Sequence, residues 1–340
     1  MADPATGPRV TVCMPTRNRA EWLAQSMRSV LAQTYEDFVL LVSDNASEDD
    51  TPAVVRGFDD ARIRYIRLDQ DVGLVGNHNQ LLARVDTEYV LILPDDDLAY
   101  PDLLETTVAV LDAHPQAGMV HAGLDMIGPD GEALTGDVNW TLGLEADTVE
   151  TGAEFIRESM RYSCRVCASS ALMRTAALPA GYFRQDDFPP VDLGLWLRMA
   201  LSWDMAFVAR TLCGYRIHDR SHSAAFGDPT GAGYAQDVEL LRRLRQVKLR
   251  FVDDHADRLE RPDELRRLTE WSLRRELVLL ARAKTLPERR FGPTLSALRE
   301  AVAEDRRVLL DKASWRLLAA SMLGARLTAR LLGRTGGEVA

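Results

Sequence analysis

The chain is poor in cysteine, has no long apolar run and carries no excess of basic charge. Four cysteines in 340 residues are too few for a disulfide-built scaffold. The lone CxxC pair, Cys164 and Cys167, has neither a second pair nor histidines at zinc-site spacing nearby. Cys13 and Cys213 are isolated in sequence, and all four read as reduced core thiols. No stretch reaches the roughly 18 apolar residues of a membrane span; the longest late run, Leu317 to Ala325, is closed off by Arg316 and Arg326. No apolar leader precedes the first strand-like segment, so a cytoplasmic protein is expected. The formal net charge of −10 argues against a nucleic-acid partner, which would need a basic face. Acidity does not exclude an anionic ligand, because a bound cation can supply the missing positive charge.

What is present is an alternation of short apolar strands and amphipathic helices. Val10 to Met14 is a β-branched run that Pro15 is expected to end. Asn18 is placed to cap a helix with Glu21 three residues on, and Leu23, Met27, Val30 and Leu31 make one buried stripe. Further strands are read at Val39 to Ser43, Ile63 to Ile66 and Tyr89 to Leu93, with a helix carrying Leu81, Leu82 and Val85 before the last. A helix is expected over Pro101 to His114, and Pro129-Asp130-Gly131 reads as a turn between strands. Strands apolar on both faces and separated by helices imply βαβ units, hence an α/β fold with a mainly parallel sheet flanked by helices. The small residues from Phe226 to Gly233 suggest a boundary. This divides the chain into 1–228, with a nucleotide-binding half at about 8–100 and an acceptor half at about 101–228, and a helical region over 229–340.

In open α/β sheets ligands bind at the carboxyl ends of the strands. The polar residues just beyond those ends are Thr16-Arg17-Asn18, Asp44-Asn45, Asp69 and Asp95-Asp96-Asp97. Three adjacent carboxylates repel one another unless a cation offsets them. Hard divalent ions take such oxygens, and Mg²⁺ uses one or two carboxylates together with substrate phosphates. The competing reading is an acidic turn capping the helix from Pro101. Asn77, His78 and Asn79 read either as helix caps or as side chains approaching a ligand.

Pro15-Thr16-Arg17-Asn18-Arg19, Ser43-Asp44-Asn45-Ala46-Ser47 and Leu93-Pro94-Asp95-Asp96-Asp97 follow one another in an order that resembles the signature of the inverting family 2 glycosyltransferases. Val191-Asp192-Leu193-Gly194-Leu195-Trp196-Leu197-Arg198 resembles the family's acidic motif before a helix, and Tyr215-Arg216-Ile217-His218, with Ser221 and Ser223, its late histidine motif. The resemblance covers about residues 8 to 225 and implies the GT-A fold. It implies transfer of a hexosyl or deoxyhexosyl group from a UDP-, dTDP- or GDP-linked donor to an acceptor hydroxyl, with Mn²⁺ or Mg²⁺. It assigns Pro15, Thr16, Arg17, Asn18, Asp44, Asp69 and Asn77 to the nucleotide sugar. Asp95 and Asp96 face ribose or sugar, and Asp97 and His218 the metal, although any of the three aspartates suits the ion and His222 is a weaker rival for His218. Asp192 matches the catalytic base. Many relatives have an acidic pair there where this chain has Val191-Asp192, so Asp186 and Asp187 stay in play.

Two other classes fit clustered carboxylates on an α/β sheet. A metal-dependent nucleotidyltransferase would be expected to show a glycine- and lysine-rich loop after the first strand, and Pro15-Thr16-Arg17-Asn18 has neither. A non-catalytic calcium-binding module would need glycine and spaced acids, which Asp95 to Asp97 lack. Finally, Lys312, Arg316, Arg326, Arg330 and Arg334 interleave with leucines in a segment free of acids. This basic amphipathic pattern suits the inner membrane face, a second subunit or the chain's own domain.

Overall fold

A computed structural model describes residues 7–134, 144–162, 165–188, 191–220, 234–285 and 302. Cys164, Ser221, His222, Ser223, the small-residue boundary at 226–233 and the basic segment 312–334 lie outside the described residues.

The N-terminal half alternates as expected: β1 Val10–Thr16, α1 Ala20–Leu31, β2 Phe38–Asp44, α2 Thr51–Arg56, β3 Ile63–Arg67, α3 Gly73–Leu82 and β4 Tyr89–Ile92. Then follow β5 Leu98–Ala99, α4 Leu103–Ala113, β6 Ala117–Ile127, β7 Thr148–Glu150, α5 Gly152–Arg161, β8 Leu172–Arg174, α6 Val191–Ala200, β9 Asp204–Arg216, α7 Tyr234–Asp254 and α8 Pro262–Thr285. All nine strands join one sheet in the order β3-β2-β1-β4-β8-β6-β9-β5, with β7 on β9.

The expected mainly parallel sheet is parallel in its first half only. β1 runs parallel to β2 and β4, and β2 to β3. Beyond β4 the pairing is antiparallel except for β6 with β9. β1 also runs through Pro15, which keeps register with Ser43. Proline is tolerated there because the β4 ladder has ended at Cys13–Ile92, so its missing N–H faces no partner strand.

Strand side chains alternate between two cores, as the two-residue period demands. Val10, Val12, Met14, Leu40, Val42, Tyr89 and Leu91 face the stripe of α1 (Leu23, Met27, Val30) and the apolar face of α4. Cys13, Leu41, Val90 and Ile92 face Val75 and Leu81 of α3, Phe155 of α5, Trp196 of α6, Val247 and Phe251 of α7 and Leu265 of α8. The result is a three-layer sandwich in which α7 and α8 share the core of the sheet. Among the described residues no helix is long and apolar enough to cross a membrane.

Two local expectations are corrected. Asn18 does not cap α1: it takes a left-handed φ of 52°, and its Oδ1 accepts the Glu48 N–H at 2.7 Å. The free end of α1 is met instead by Asp49, whose carboxylate accepts from the Ala20 N–H. Asn77, His78 and Asn79 are not caps either but lie inside α3. The turn at Pro129-Asp130-Gly131 forms as read, with Gly131 at φ 89°, where glycine avoids the Cβ penalty.

Candidate active site

Because β1, β2, β3 and β4 are parallel, their carboxyl ends deliver residues 16–19, 44–47, 68–73 and 93–97 to one edge. A cleft of about 420 Å³ opens there, lined by Pro15, Thr16, Arg17, Arg19, Asn45, Asp71, Asn77, His78, the three aspartates, Tyr215 and Arg216.

The triple aspartate forms its floor, and all three members are buried. Asp95 keeps one oxygen, Oδ2, without a hydrogen-bond partner, while its Oδ1 lies 3.4 Å from Arg19. Burial, reinforced by the charge of Asp96, pushes its carboxyl up to about 7. Asp96 is buried too, but the His218 hydrogen bond at 3.0 Å and the Arg19 guanidinium outweigh desolvation and hold it below the carboxylate range. Asp97 accepts the Arg216 backbone N–H at 2.8 Å and the Ser169 hydroxyl. Burial and the neighbouring Asp96 nevertheless push it well above the ordinary range. Two of the three carboxyls are therefore pushed toward the protonated form by their surroundings, the signature of a site short of positive charge.

His218 sits at the end of β9 and stacks on Trp22 of α1, ring centroids 3.9 Å apart. Its Nε2 meets Asp96 rather than Asp97, and its Nδ1 accepts the Arg220 N–H. Arg216 is clamped by the carbonyls of Asp96, Gly128 and Pro129 and by Gln25. Among the described residues no three His, Cys, Asp or Glu side chains are arranged to hold a metal by themselves.

Toward the outer wall, Arg17 pairs with Asp71 and donates to the Asn45 carbonyl, both at 3.0 Å. Asn45 in turn donates to Asp71 at 2.6 Å. Asn77 lines the same cleft and exchanges hydrogen bonds with Ser43. Asp44 lies behind this wall. It is fully buried, accepts from Tyr65 at 2.6 Å and the Ser47 N–H at 2.8 Å, and does not line the cleft. Asp69 is exposed outside it, and Asn18 holds the loop after β2. Asn45 and Asp71, one and two residues beyond Asp44 and Asp69, are the side chains that reach the cavity. Asn45 was named beside Asp44 but given no role, and Asp71 did not stand out, because only the strand register decides which polar residue after a strand turns inward.

Asp192 occupies the first turn of α6. Burial pushes its carboxyl up to about 6, against the helix N–H groups of Leu193 and Asp192 itself. Cys167 feels both Asp97 and Asp192: burial first, and then the charges of these two carboxylates, push its thiol up. The rival Asp187 is committed elsewhere: its carboxylate holds Arg198 at 2.7 Å and Arg250 at 3.4 Å. Asp186 is exposed.

A three-layer α/β sandwich with this acidic strand-end cleft is the GT-A class of fold. A mannosyltransferase from Pyrobaculum calidifontis, solved in complex with GDP-Man and Mn²⁺, matches 98% of this chain and 81% of its own at a TM-score of 0.57 and 19% identity. Residues 11–136 match the model described as glycosyl transferase family 2. The chain is 31% identical over 122 residues to the putative glycosyltransferase EpsE of Bacillus subtilis, covering 35% of this chain and 44% of that protein. It is 36% identical over 118 residues to the GalNAc(5)-diNAcBac-PP-undecaprenol beta-1,3-glucosyltransferase of Campylobacter jejuni, covering 34% of this chain and 37% of that protein. In both cases the match spans less than half of the relative.

Proposed function

We propose that the chain is a metal-dependent, inverting glycosyltransferase that moves a hexosyl or deoxyhexosyl group from a nucleoside diphosphate donor to an acceptor hydroxyl. The observation that carries this reading is the buried Asp95-Asp96-Asp97 floor of the strand-end cleft, with its unpartnered Asp95 Oδ2.

The floor fits a divalent ion that takes its remaining ligands from the donor. Mg²⁺ or Mn²⁺ needs only one or two protein carboxylates when phosphates complete the sphere, so the absence of a three-residue cage among the described residues is no obstacle. Asp95, through its free oxygen, and Asp97 would hold it. His218 could join only by releasing Asp96, and imidazole favours Mn²⁺. When bound, the ion neutralises charge on the departing diphosphate. Arg17, Asn45, Asp71 and Asn77 would orient the nucleotide, with Asp44 shaping their loop from behind.

Asp192 takes the proton of the acceptor hydroxyl as that oxygen attacks the anomeric carbon on the face opposite the leaving diphosphate. A carboxyl pushed up to about 6 is still ionised at neutral pH, yet more basic than a solvated aspartate. The Campylobacter relative's polyprenyl-diphosphate acceptor suggests a lipid-linked saccharide here too, met at the inner membrane face. The decisive experiment is incubation of the chain and Mn²⁺ with UDP-, GDP- and dTDP-sugars, with donor hydrolysis and then transfer followed by mass spectrometry. Consumption of one donor only in the presence of metal is expected; no consumption of any, with no nucleoside diphosphate raising the melting temperature, would sink the reading.

A further inference from the structure

Arg19 sits at the entry to α1 with its side chain 11% exposed, against 6% and 9% for Asp95 and Asp96. Its Nη1 contacts both carboxylates, and its Nη2 donates to the Arg220 carbonyl at 2.8 Å. The guanidinium thus sits on the Asp95 and Asp96 side of the floor, against the carboxylate whose other oxygen, Asp95 Oδ2, is free for an ion. Arg216, the other buried arginine of the site, is no substitute: its guanidinium is spent on three backbone carbonyls and Gln25. Arg19 also leaves the floor unsaturated, since Asp95 Oδ2, in a residue only 4% exposed, has no partner. A divalent ion on Asp95 Oδ2 and a guanidinium on Oδ1 of the same carboxylate would stand close together, and two cations so close repel strongly in a poorly solvated cleft.

We propose that Arg19 is the resident counter-cation of the aspartate floor, that an incoming divalent ion displaces it, and that the freed guanidinium then binds the donor's diphosphate. The chemistry favours this exchange. Arginine's planar fork matches phosphate oxygens in two-point contact, and its long side chain already lines the cleft. Among the described residues, the contact it gives up beyond the carboxylates is a single backbone carbonyl. The displacement also has a structural consequence. Arg220 is tied to the α1 entry through Arg19, through the Asn18 carbonyl at 2.6 Å and through the Trp22 face. Moving Arg19 therefore loosens one of the anchors of the chain just after β9. The diphosphate half of the proposal rests on the donor-site reading above; the counter-cation half does not.

The test compares the full chain with Arg19→Met and Arg19→Lys. Free Mn²⁺ is followed by electron paramagnetic resonance, and UDP and GDP binding at saturating Mn²⁺ by calorimetry. Arg19→Met is expected to bind Mn²⁺ alone at least tenfold more tightly, because its competitor is gone, and to bind the nucleotide at least tenfold more weakly. Arg19→Lys keeps a charge but not the fork, so its Mn²⁺ affinity stays within about threefold of the parent while nucleotide affinity still falls. Unchanged or weaker Mn²⁺ binding by Arg19→Met overturns the counter-cation role. Unchanged nucleotide binding by either variant overturns the phosphate role. Should Arg19→Met fail to fold, by circular dichroism, Arg19→Lys decides on the nucleotide arm. A parent that binds no nucleoside diphosphate overturns the donor-site reading and with it the phosphate role, and the Mn²⁺ arm then decides the rest.

Discussion

Asp192 carries the sharpest consequences at the scale of single residues. Its carboxyl is pushed from the usual 3.8 to about 6 by burial, so the fold prefers it protonated. The stability it contributes is complete below about pH 4 and is lost as pH rises through 6. Asparagine mimics the protonated form. Asp192→Asn should therefore match the parent near pH 4 and exceed it at pH 7.5 by up to about 3 kcal/mol, read as a melting temperature higher by a few degrees. The same substitution should lower turnover by about 10²–10⁴-fold while leaving Mn²⁺-nucleotide affinity intact. A gain in stability with a loss of rate marks a carboxylate kept ionised for chemistry; normal turnover by Asp192→Asn would remove it from the role of base. In the parent enzyme kcat/KM should rise with pH through about 6 and then level, and a profile flat from pH 5 to 8 would contradict this assignment. Asp97→Ala should abolish the Mn²⁺-dependent part of nucleotide-induced thermal stabilisation, and retention of that part would take Asp97 out of the metal site. Its chain neighbour Asp96 already meets His218 and Arg19, which makes Asp97 rather than Asp96 the variant to test.

At the scale of elements, α6 matters most because it carries Asp192 into place. It is set by Asp187 and Arg198, a buried pair 2.7 Å apart that ties the turn before the helix to its third turn, with Arg198 also donating to the Tyr182 carbonyl. Gly194 lies between them: a Cβ there would come within 2.1 Å of the Asp187 carboxylate. Gly194→Ala should thus cost about 1–3 kcal/mol by overpacking, and Asp187→Ala about 3–5 kcal/mol by leaving Arg198 buried and unpaired. Both are measurable by urea denaturation, and an unchanged midpoint for either would show that α6 is positioned by its apolar face alone. α6 was legible in sequence, by resemblance, as an acidic motif before a helix. The commitment of Asp187 to Arg198 was not, because it depends on how a short turn folds back over the helix. The same holds for α1: its buried stripe was evident, but its entry is set by Asp49, brought from the loop after β2.

For the molecule as a whole, the division at residue 228 separates segments that share one core. Val247, Phe251 and Leu265 of α7 and α8 pack with Phe155, Trp196 and Met199, and Arg245 pairs with Glu270 at 2.5 Å to join the two helices. A chain ending at residue 228 should accordingly expose the apolar faces of α5 and α6 and aggregate or melt without a cooperative transition in circular dichroism. A cooperative, soluble fragment would establish 1–228 as an independent unit.

The sequence by itself determined the α/β alternation, the parallel first half of the sheet and the strand ends on which the carboxylates lie. Those features are local: two- and four-residue periodicities and the polar residues that stop each strand. Only the tertiary structure decided which side chains meet in the cleft. Strand register turned Asn45 and Asp71 inward and Asp44 behind the wall, and the antiparallel return of β8 and β9 set Ser169 and Arg216 against Asp97 and His218 against Asp96. Which of the adjacent aspartates at 95, 96 and 97 is left short of a cation follows from partners more than 70 residues away in the chain, and no local pattern encodes that choice.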